Sequence, residues 1–484
     1  MEEGKALRPP PPALAEALES QNAGYAPSPA RDAHLRALRA GAPAIVTGQQ
    51  AGLFLGPLYT LYKAATAIRL SRSAGAVPVF WLQIEDHDLA EIAVASVALP
   101  RGGTLRLELP APPEPVSVAH RALPGGITEI LARLADALGT LPHAAPHLER
   151  LARHYRAGAR YGTAFAGVLA ELFSDEGLVL LNPRDPQLAR LASPVHRRAL
   201  TEWREIARAL HASGATESVH VRDDSPLSFF HPDGPQGRRC RLRWEGDRFA
   251  EIGGPGAHTP DSLLAALEVE PLRFSTSALL RPILQDTWLP TAGYVGGPAE
   301  VAYFEQLGPL YDHFGLPRPK VIRRASLRLL EEDDRLRLDR AGLAPADVSL
   351  SDDDLLSRAP RSGGAGEAVT RRLLEAFDGA MAEVLPRLRE AGERAERAAA
   401  KTRGTVARAV DKLGRNVDKA SRLRDQSLVE DLRRLRERLC PDGVPQERLY
   451  GVSYYAARYG ERAFIERVLA AAEPGDSGTR DLWL

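Results

Sequence analysis

The most informative stretch of the chain is residues 45–88, IVTGQQAGLFLGPLYTLYKAATAIRLSRSAGAVPVFWLQIEDHD. Its first apolar run ends at Thr47, and apolar residues then recur from Leu58 to Ile68 at the spacing of one helix face. Val77–Ile84 is apolar, with β-branched and aromatic members, as expected of a strand that is buried on both faces. Strand, helix and strand in this order predict a parallel sheet with a right-handed crossover.

Two polar clusters follow the two strands of this β-α-β unit. Thr47–Gln50 comes after the first strand, and Glu85–Asp88 comes after the second. The carboxyl ends of parallel strands lie at the same edge of a sheet, which is where open α/β sheets bind their ligands. We therefore expect both clusters to border one site.

The glycines of the first cluster, Gly48, Gly52 and Gly56, follow neither a GxGxxG pattern nor a Walker loop. One explanation is a tight turn that needs small residues. The alternative is an anion site built from N–H groups of the turn and the helix N-terminus, with the side-chain amides of Gln49 and Gln50. Two adjacent glutamines have no packing purpose at a strand end, which favours the anion site.

The second cluster, Glu85–Asp88, puts three carboxylates and an imidazole after a buried strand. Mutual repulsion makes this arrangement costly. A surface loop is the ordinary explanation. The functional alternatives are hydrogen bonding to a polyhydroxy or amino substrate, and oxygen ligation of a divalent cation. His87 is a candidate general base in both.

A second glycine turn, Gly296–Glu300, opens a helix further along the chain. Proline in the first helical turn and an acidic residue near it both suit a helix start, so the turn is either structural or part of a cleft. The apolar segment Phe274–Leu289 reads as sheet and carries Arg281, Gln285 and Asp286. We expect these residues to border the same cleft.

Two basic groups have open roles. Lys63, one turn into the first helix, is either solvated or directed at the anion site. Arg323-Arg324, close to Ser326, lies in a last strand-like piece, Lys320–Ser326, and is either an ordinary basic pair or a phosphate site.

Chain length and the changing pattern of apolar residues predict several domains. At 484 residues the chain exceeds one ordinary core. Heptad spacing of apolar residues after Ala368 predicts a helical coiled coil, with Pro386 and Gly404 as candidate breaks. The predicted parts are a core over 1–335 with insertions near 102–175 and 215–260, a linker over 336–366, the coiled coil over 367–445 and a C-terminal cap over 446–484.

Composition excludes several classes. The chain is 44% hydrophobic and 26% charged, which is typical of a soluble globular protein. Its 63 basic and 63 acidic residues give no net charge, which argues against a nucleic-acid partner. Cys240 and Cys440 are far apart, so neither a disulfide framework nor a cysteine zinc site is expected. No apolar run of about 18 residues and no secretory signal is present, so we expect no membrane association and a cytoplasmic location.

In four blocks the chain resembles the bacillithiol biosynthesis cysteine-adding enzyme family. The blocks are TGQQAGLFLGPLYTLYKAATAI, PVFWLQIEDHDLAEI, LRPILQDTWLPTAGYVGGPAEVAYFEQLGPLY and LCPDGVPQERLYG, in family order over residues 47–451. The resemblance implies an α/β fold: a Rossmann-type parallel-sheet core with insertions, similar to the catalytic domain of class I aminoacyl-tRNA synthetases, plus a C-terminal helical coiled-coil domain. It also implies the last step of bacillithiol synthesis, in which cysteine is condensed with glucosaminyl-malate.

The resemblance also assigns site residues. The positions that match the family blocks are Thr47, Gly48, Gln49, Gln50, Gly56, Pro57, Tyr59, Lys63, Glu85, Asp86, His87, Asp88, Arg281, Gln285, Asp286, Gly297, Pro298 and Glu300. The chain departs from the synthetases in having no HIGH signature. It also has no KMSKS motif, unless Arg323–Ser326 takes its place.

The leading hypothesis is a cytoplasmic ligase, expected to be a homodimer. An amide does not form from a free carboxylate at neutral pH without activation, so ATP is a candidate cofactor unless the cysteine arrives activated. The Thr47–Gly56 turn would hold a phosphate or the malate carboxylates. The catalytic group, Glu85–Asp88, would bind the amine or the sugar hydroxyls and take a proton.

Two alternatives stay open. The first is a degenerate, non-catalytic nucleotide-binding module whose coiled coil dimerises or binds a partner. The second is a metal-dependent hydrolase that uses the Glu85–Asp88 cluster.

Overall fold

The computed structural model describes residues 9–212, 216–359, 364–475 and 478–484. Contacts divide the chain into two compact units. The first runs from the first described residues to Arg328 and includes Gln446–Leu482 and Leu484; the second comprises Leu329–Pro445 and Trp483.

Strands and helices alternate along most of the first unit, and helices dominate the second. The strands are β1 (Ala44–Gln50), β2 (Val77–Gln83), β3 (Val94–Ala98), β4 (Thr104–Glu108), β5 (Val179–Leu181), β6 (Ser228–Phe230), β7 (Cys240–Glu245), β8 (Arg248–Ile252), β9 (Ala257–His258), β10 (Phe274–Thr276), β11 (Thr291–Gly296), β12 (Lys320–Arg323), β13 (Ser326–Leu330) and β14 (Thr479–Trp483). The helices are α1 (Pro12–Ala23), α2 (Pro29–Arg39), α3 (Tyr59–Ala74), α4 (Leu89–Ile92), α5 (Ile127–Leu138), α6 (Ala144–His154), α7 (Tyr161–Leu172), α8 (Pro186–Thr201), α9 (Trp203–Ala212), α10 (Pro260–Val269), α11 (Leu280–Trp288), α12 (Pro298–Gln306), α13 (Gly308–Phe314), α14 (Glu332–Ala341), α15 (Asp352–Arg358), α16 (Ala365–Glu390), α17 (Glu393–Arg424), α18 (Gln426–Leu439), α19 (Gln446–Leu449), α20 (Ser453–Tyr459) and α21 (Glu461–Ala471). Within the described residues, none of these helices is long and apolar enough to cross a membrane.

A five-stranded sheet in the order β12-β11-β1-β2-β5 forms the centre of the first unit, and all its strands are parallel. The predicted β-α-β unit is confirmed as β1, α3 and β2. The chain leaves β1 toward β2 on one side, while β11 pairs with β1 on the other. This reversal of strand order is a topological switch point, where ligands bind in sheets of this kind.

Both faces of the sheet are covered, which is why its central strands β1 and β2 begin as apolar runs. Val46, Val79 and Leu181 face a cluster that includes residues of α1, α8 and α11. Their neighbour Ile45 points to the opposite face, which α3 covers through Ala67. The alternation along β1 follows the two-residue period of a strand.

The two insertions contain the kinds of secondary structure expected from the sequence, mainly helices in the first and antiparallel strands in the second. After the β3-β4 hairpin come the helices α5, α6 and α7. The predicted antiparallel insertion is confirmed as a sheet of order β10-β6-β7-β8-β9 that reaches Thr276. The prediction that Phe274–Leu289 is sheet holds only for β10, because the chain then turns into α11. Short apolar runs do not distinguish a buried strand from a buried helix.

The second unit differs from the expected linker and coiled coil in two respects. Residues 336–341 belong to α14 and residues 352–358 form α15. Leu338, Val348 and Leu355 are buried with apolar residues of α18. Residues 360–363 of the expected linker lie outside the described residues. The heptad region forms three long helices, but Pro386 and Gly404 break none of them. The chain turns at Gly392 instead, where φ is 94° and glycine is favoured.

The C-terminal segment, expected to be a separate cap, groups with the first unit. Its helix α21 packs on α3 and α7, and α20 packs on α6. The guanidinium of Arg69 in α3 donates to the carbonyl of Leu469 over 3.0 Å. Sequence order does not reveal this return, because contacts between segments about 400 residues apart leave no local pattern.

Candidate active site

A cavity of about 750 Å³ opens at the carboxyl edge of the parallel sheet, as the strand ends predict. Its walls come from β1, β2, the start of α12 and the antiparallel insertion. The expected site residues that line it are Gln49, Gln50, Tyr59, Lys63, Glu85, Asp86, His87, Arg281, Gly297, Pro298 and Glu300. Thr47, Gly48, Gly56, Pro57, Asp88, Gln285 and Asp286 lie outside its wall.

The glycines after β1 are required by packing. A Cβ on Gly48 would lie 2.8 Å from the carbonyl oxygen of Trp81, and one on Gly52 would lie 2.9 Å from Cα of Gly56. Gly56 itself has a φ of 64°, which favours glycine. Tight packing thus explains the pattern without an anion.

The start of α3 is closed by the chain itself. The N–H of Leu58 donates to the carbonyl of Tyr450 over 2.8 Å. The hydroxyl of Thr47 donates to the carbonyl of Val295 over 2.8 Å and ties β1 to β11. These groups form the support below the cavity, and the Leu58 N–H is already used.

Lys63 is buried at the centre of the site. Its ammonium donates to the carbonyl of Gly48 over 2.9 Å and to the side-chain oxygen of Gln49 over 2.8 Å, and it forms an ion pair with Glu300. Only 4% of its side chain is exposed, so the solvated alternative does not hold.

Glu300 and Arg281 share a buried network across β11 and α12. Glu300 accepts from the N–H of Gly297 over 2.8 Å and from the hydroxyl of Tyr294 over 2.7 Å. Burial works to raise the pKa of Glu300, but the ion pair with Lys63 and the hydrogen bonds from Lys63, Gly297 and Tyr294 together hold that pKa below its usual value. The guanidinium of Arg281 contacts the hydroxyl of Tyr303.

The two glutamines connect the end of β1 to both sides of the cavity. Gln49 donates to the hydroxyl of Tyr59 over 3.4 Å, and Gln50 donates to a carboxylate oxygen of Asp86 over 3.3 Å. The long hydrogen bond of Gln50 is weak, so its amide can turn to a ligand at little cost. The Gln49 amide is held in place, because its oxygen accepts from the ammonium of Lys63 over 2.8 Å.

Two of the three carboxylates after β2 are used by the protein. Glu85 is buried and accepts from the backbone N–H of Thr276 over 3.3 Å and from the same residue's hydroxyl. Asp88 caps α4 by accepting from the N–H of Glu91 over 3.2 Å. Separate partners relieve the repulsion expected from the sequence. Among the described residues, no group of three His, Cys, Asp or Glu side chains could hold a metal ion.

Asp86 and His87 face the cavity together. The backbone N–H of His87 donates to the carboxylate of Asp86 over 2.7 Å. A guanidinium nitrogen of Arg239 lies 3.0 Å from the ring nitrogen Nδ1 of His87. A guanidinium only donates, so Nδ1 accepts and the neutral ring carries its proton on Nε2. Burial and the nearby Arg239 charge lower the pKa of His87, which keeps the ring neutral. The exposed side-chain fractions of His87 and Asp86 are 38% and 43%.

Arg239 is a site residue that the sequence did not indicate. It lies at the edge of β7 and donates to the hydroxyl of Ser275 over 3.1 Å and to the carbonyl of Thr276 over 2.9 Å. Its guanidinium also stacks 3.5 Å from the ring centre of Phe229. The available signal was the arginine-rich run RRCRLR, which the hairpin texture alone did not connect to the site.

Gln285 and Asp286 are in the interior behind the cavity. The carboxylate of Asp286 accepts from the side-chain amide of Gln285 over 2.8 Å and from the hydroxyl of Tyr311. Burial raises the pKa of Asp286 to about 6. Arg281, on the same helix, is the member of this group that reaches the cavity.

Further basic and aromatic side chains line the cavity without having been expected there. They are Arg222, Arg241, Tyr303 and Arg448. Arg324, which the sequence left open, also lines it.

Family models match most of the chain. Residues 3–325 match the N-terminal Rossmann-like domain of bacillithiol biosynthesis BshC. Residues 367–478 match the C-terminal coiled-coil domain of the same family.

Relatives match over most of their own length as well. A Koribacter versatilis protein is 35% identical over 92% of this chain and 85% of its own, and one from Salinibacter ruber is 33% identical over 92% and 84%. A Thermus thermophilus protein is 33% identical over 86% and 84%. Each bears the name "Putative cysteine ligase BshC".

Proposed function

The chain belongs to the BshC family of bacillithiol biosynthesis, and we propose that it is the ligase that joins cysteine to glucosaminyl-malate in the last step of that synthesis. The reaction forms an amide between the cysteine carboxyl group and the glucosamine amine. One observation carries the assignment of the site: Asp86, His87 and Arg239 meet on the wall of a cavity at the switch point of the sheet.

Asp86 is the amine-binding group of this proposal. Its carboxylate is half-exposed. Oδ1 accepts from the backbone N–H of His87 over 2.7 Å and lies 3.6 Å from the guanidinium of Arg239, while Oδ2 has only the weak contact with Gln50 and can accept from a ligand. A protonated amine pairs with a carboxylate, and the nitrogen must lose a proton before its lone pair can attack. Asp86 is placed to accept that proton, directly or through water.

His87 has a different role from the general base expected from the sequence. Its Nδ1 lone pair is occupied by Arg239, so the neutral ring offers only Nε2–H. A fixed donor of this kind stabilises the negative charge that grows on the carbonyl oxygen when the amine attacks. We therefore assign His87 as a hydrogen-bond donor to the reacting carboxyl group.

ATP is the candidate source of carboxyl activation. The start of α3 does not fit its phosphates, because the N–H groups of Leu58, Thr60 and Leu61 already donate to the carbonyls of Tyr450, Pro57 and Leu58. The proposal therefore assigns no step to a nucleotide at that turn. The anionic parts of the substrates belong at another wall of the cavity.

A homodimer in the cytoplasm is the expected setting. Leu373, Val384 and Leu413 on α16 and α17 are exposed at 39%, 42% and 46%, and such residues suit a partner helix. Cys240 and Cys440, which both lie within the described residues, form no disulfide, as a reducing compartment allows. Sedimentation of the wild type and of a Leu373→Glu/Leu413→Glu variant tests the dimer, and a monomeric wild type would contradict it.

The function is tested with the purified full chain, cysteine, glucosaminyl-malate and ATP, with the amide product measured by mass spectrometry. We expect product with the wild type and at least a hundredfold less with Asp86→Ala or His87→Ala. In cells that depend on the protein, the same variants should lose bacillithiol and accumulate glucosaminyl-malate. Unchanged thiol levels would remove the site assignment, and nucleotide binding without turnover would favour the non-catalytic module.

A further inference from the structure

Gly297 lies at the start of α12, where neither the backbone conformation nor the packing requires a glycine. Its φ of −73° and ψ of 172° suit any residue. A Cβ there would lie 3.5 Å from a carboxylate oxygen of Glu300 and 3.8 Å from Nε of Arg324, which are ordinary contacts. The adjacent Gly296 differs, because its Cβ would lie 2.9 Å from Cβ of Glu300. The missing side chain of Gly297 therefore leaves a space on the cavity wall.

Arg324 presents an unused donor to that space. It is 3% exposed, and its two terminal nitrogens donate to Glu447 over 2.9 and 2.7 Å. One of them also donates to the carbonyl of Ala325 over 2.8 Å. Among the described residues its Nε–H has no acceptor. A buried donor without an acceptor is unfavourable, and an acceptor atom of a ligand would satisfy it.

The charge around the space favours an anion. The start of α12 carries the positive end of the helix dipole. Glu300, which lies in the first turn, is already paired with Lys63 and accepts from Gly297. Arg448 lines the same cavity and brings a further positive charge.

We propose that the start of α12 and Arg324 form a subsite for an oxyanion, a carboxylate or phosphate group carried by a substrate. The oxyanion accepts from Nε of Arg324 and lies over Gly297, in the cavity that Arg448 also lines. The subsite rests on the proposed function and deepens it, since the malyl part of glucosaminyl-malate carries carboxylates and ATP carries phosphates. The sequence predicted an anion site at the turn after β1, whereas the proposed subsite lies at the turn after β11.

Calorimetry on the full chain tests the subsite, with L-malate and inorganic phosphate as separate probes. We expect the wild type to bind at least one of them, and Gly297→Ala to bind it at least tenfold more weakly because its methyl group fills the space. Arg448→Ala should weaken the same probe. The matched control is Gly126→Ala, at the exposed start of α5, where a Cβ meets nothing within 4 Å.

The outcomes separate the sources of the anion. Binding of malate alone assigns the subsite to the carboxylates of the sugar substrate, and binding of phosphate alone assigns it to a nucleotide. If neither probe binds the wild type, or if Gly297→Ala binds as the wild type does, the subsite is overturned. Because binding is measured without turnover, a failure of the ligase proposal would leave the binding result standing. In the same way, absence of anion binding at this subsite would leave the measured ligase activity standing.

Discussion

The guanidinium of Arg239 lies 3.0 Å from Nδ1 of His87, although 152 positions separate the two residues in the chain. This contact joins the antiparallel insertion to the edge of the parallel sheet. It decides the tautomer of His87 and thereby which nitrogen a substrate meets. The insertion therefore fixes the protonated nitrogen of a cavity residue as well as forming part of the cavity wall.

Replacing Arg239 by Gln should raise the pKa of His87, since the positive charge that disfavours imidazolium is removed while burial remains. The ring would then become protonated at higher pH than in the wild type. The His87 signal in NMR titrations should therefore move to higher pH than in the wild type. Arg243→Gln, at an exposed position of the same strand, is the control. An unmoved His87 titration would refute the positioning role.

Asp86→Asn should reduce the rate of cysteine addition by roughly 10²–10⁴-fold, the contribution typical of a positioned proton acceptor. Asp88→Asn is the matched control, because Asn also caps helices well and Asp88 lies outside the cavity wall. Single-turnover rates measured by mass spectrometry compare the two. Equal loss in both variants would contradict the separate roles of these neighbours.

Gly48→Ala should destabilise the fold by roughly 1–3 kcal/mol, because its methyl group would press on the backbone of Trp81. Gly297→Ala should leave the free energy of unfolding within about 0.5 kcal/mol of the wild type, since ordinary contacts surround the new Cβ. Urea denaturation of both variants measures the difference. A large loss in Gly297→Ala would mean that packing, not ligand access, requires that glycine.

Breaking the buried ion pair by Lys63→Met or Glu300→Gln alone should cost roughly 3–5 kcal/mol, because each change leaves the other charge buried and unpaired. The double variant should lose less than the sum of the two. A double-mutant cycle in urea measures this coupling. Additive losses would show that the two side chains do not act as a pair.

Asp286 should make stability depend on pH. Its folded-state pKa is raised by burial to about 6, above the unfolded value of roughly 3.9. Between these values the folded state keeps a proton that the unfolded state releases, so stability falls as pH rises. Relative to Asp286→Asn, the wild type should lose roughly 2 kcal/mol from pH 4 to pH 7. Parallel curves for the two proteins in urea would contradict the raised pKa.

The core of the fold was predictable because its signals are local. The apolar periods of β1, α3 and β2 lie within 45 residues of one another in the sequence, and they specify a parallel unit with both polar clusters at one edge. The helix over 280–288 was not predicted, because its apolar run fits either period. Residues 336–359 read as a linker because charge conceals the few apolar positions that α18 covers.

The residue types at the carboxyl edge follow from the sequence, which supplies glutamines, carboxylates and an imidazole after adjacent strands. Their roles follow from contacts made over long sequence separations. Thr276 donates a hydrogen bond to the carboxylate of Glu85, and the carbonyl of Tyr450 accepts from the N–H of Leu58 at the start of α3. The guanidinium of Arg239 donates to Nδ1 of His87. A side chain's free lone pairs and protons depend on which distant groups fold against it, and no local pattern records that. The sequence alone therefore determined where the site lies, and the tertiary structure decided which of its atoms remain open to a substrate.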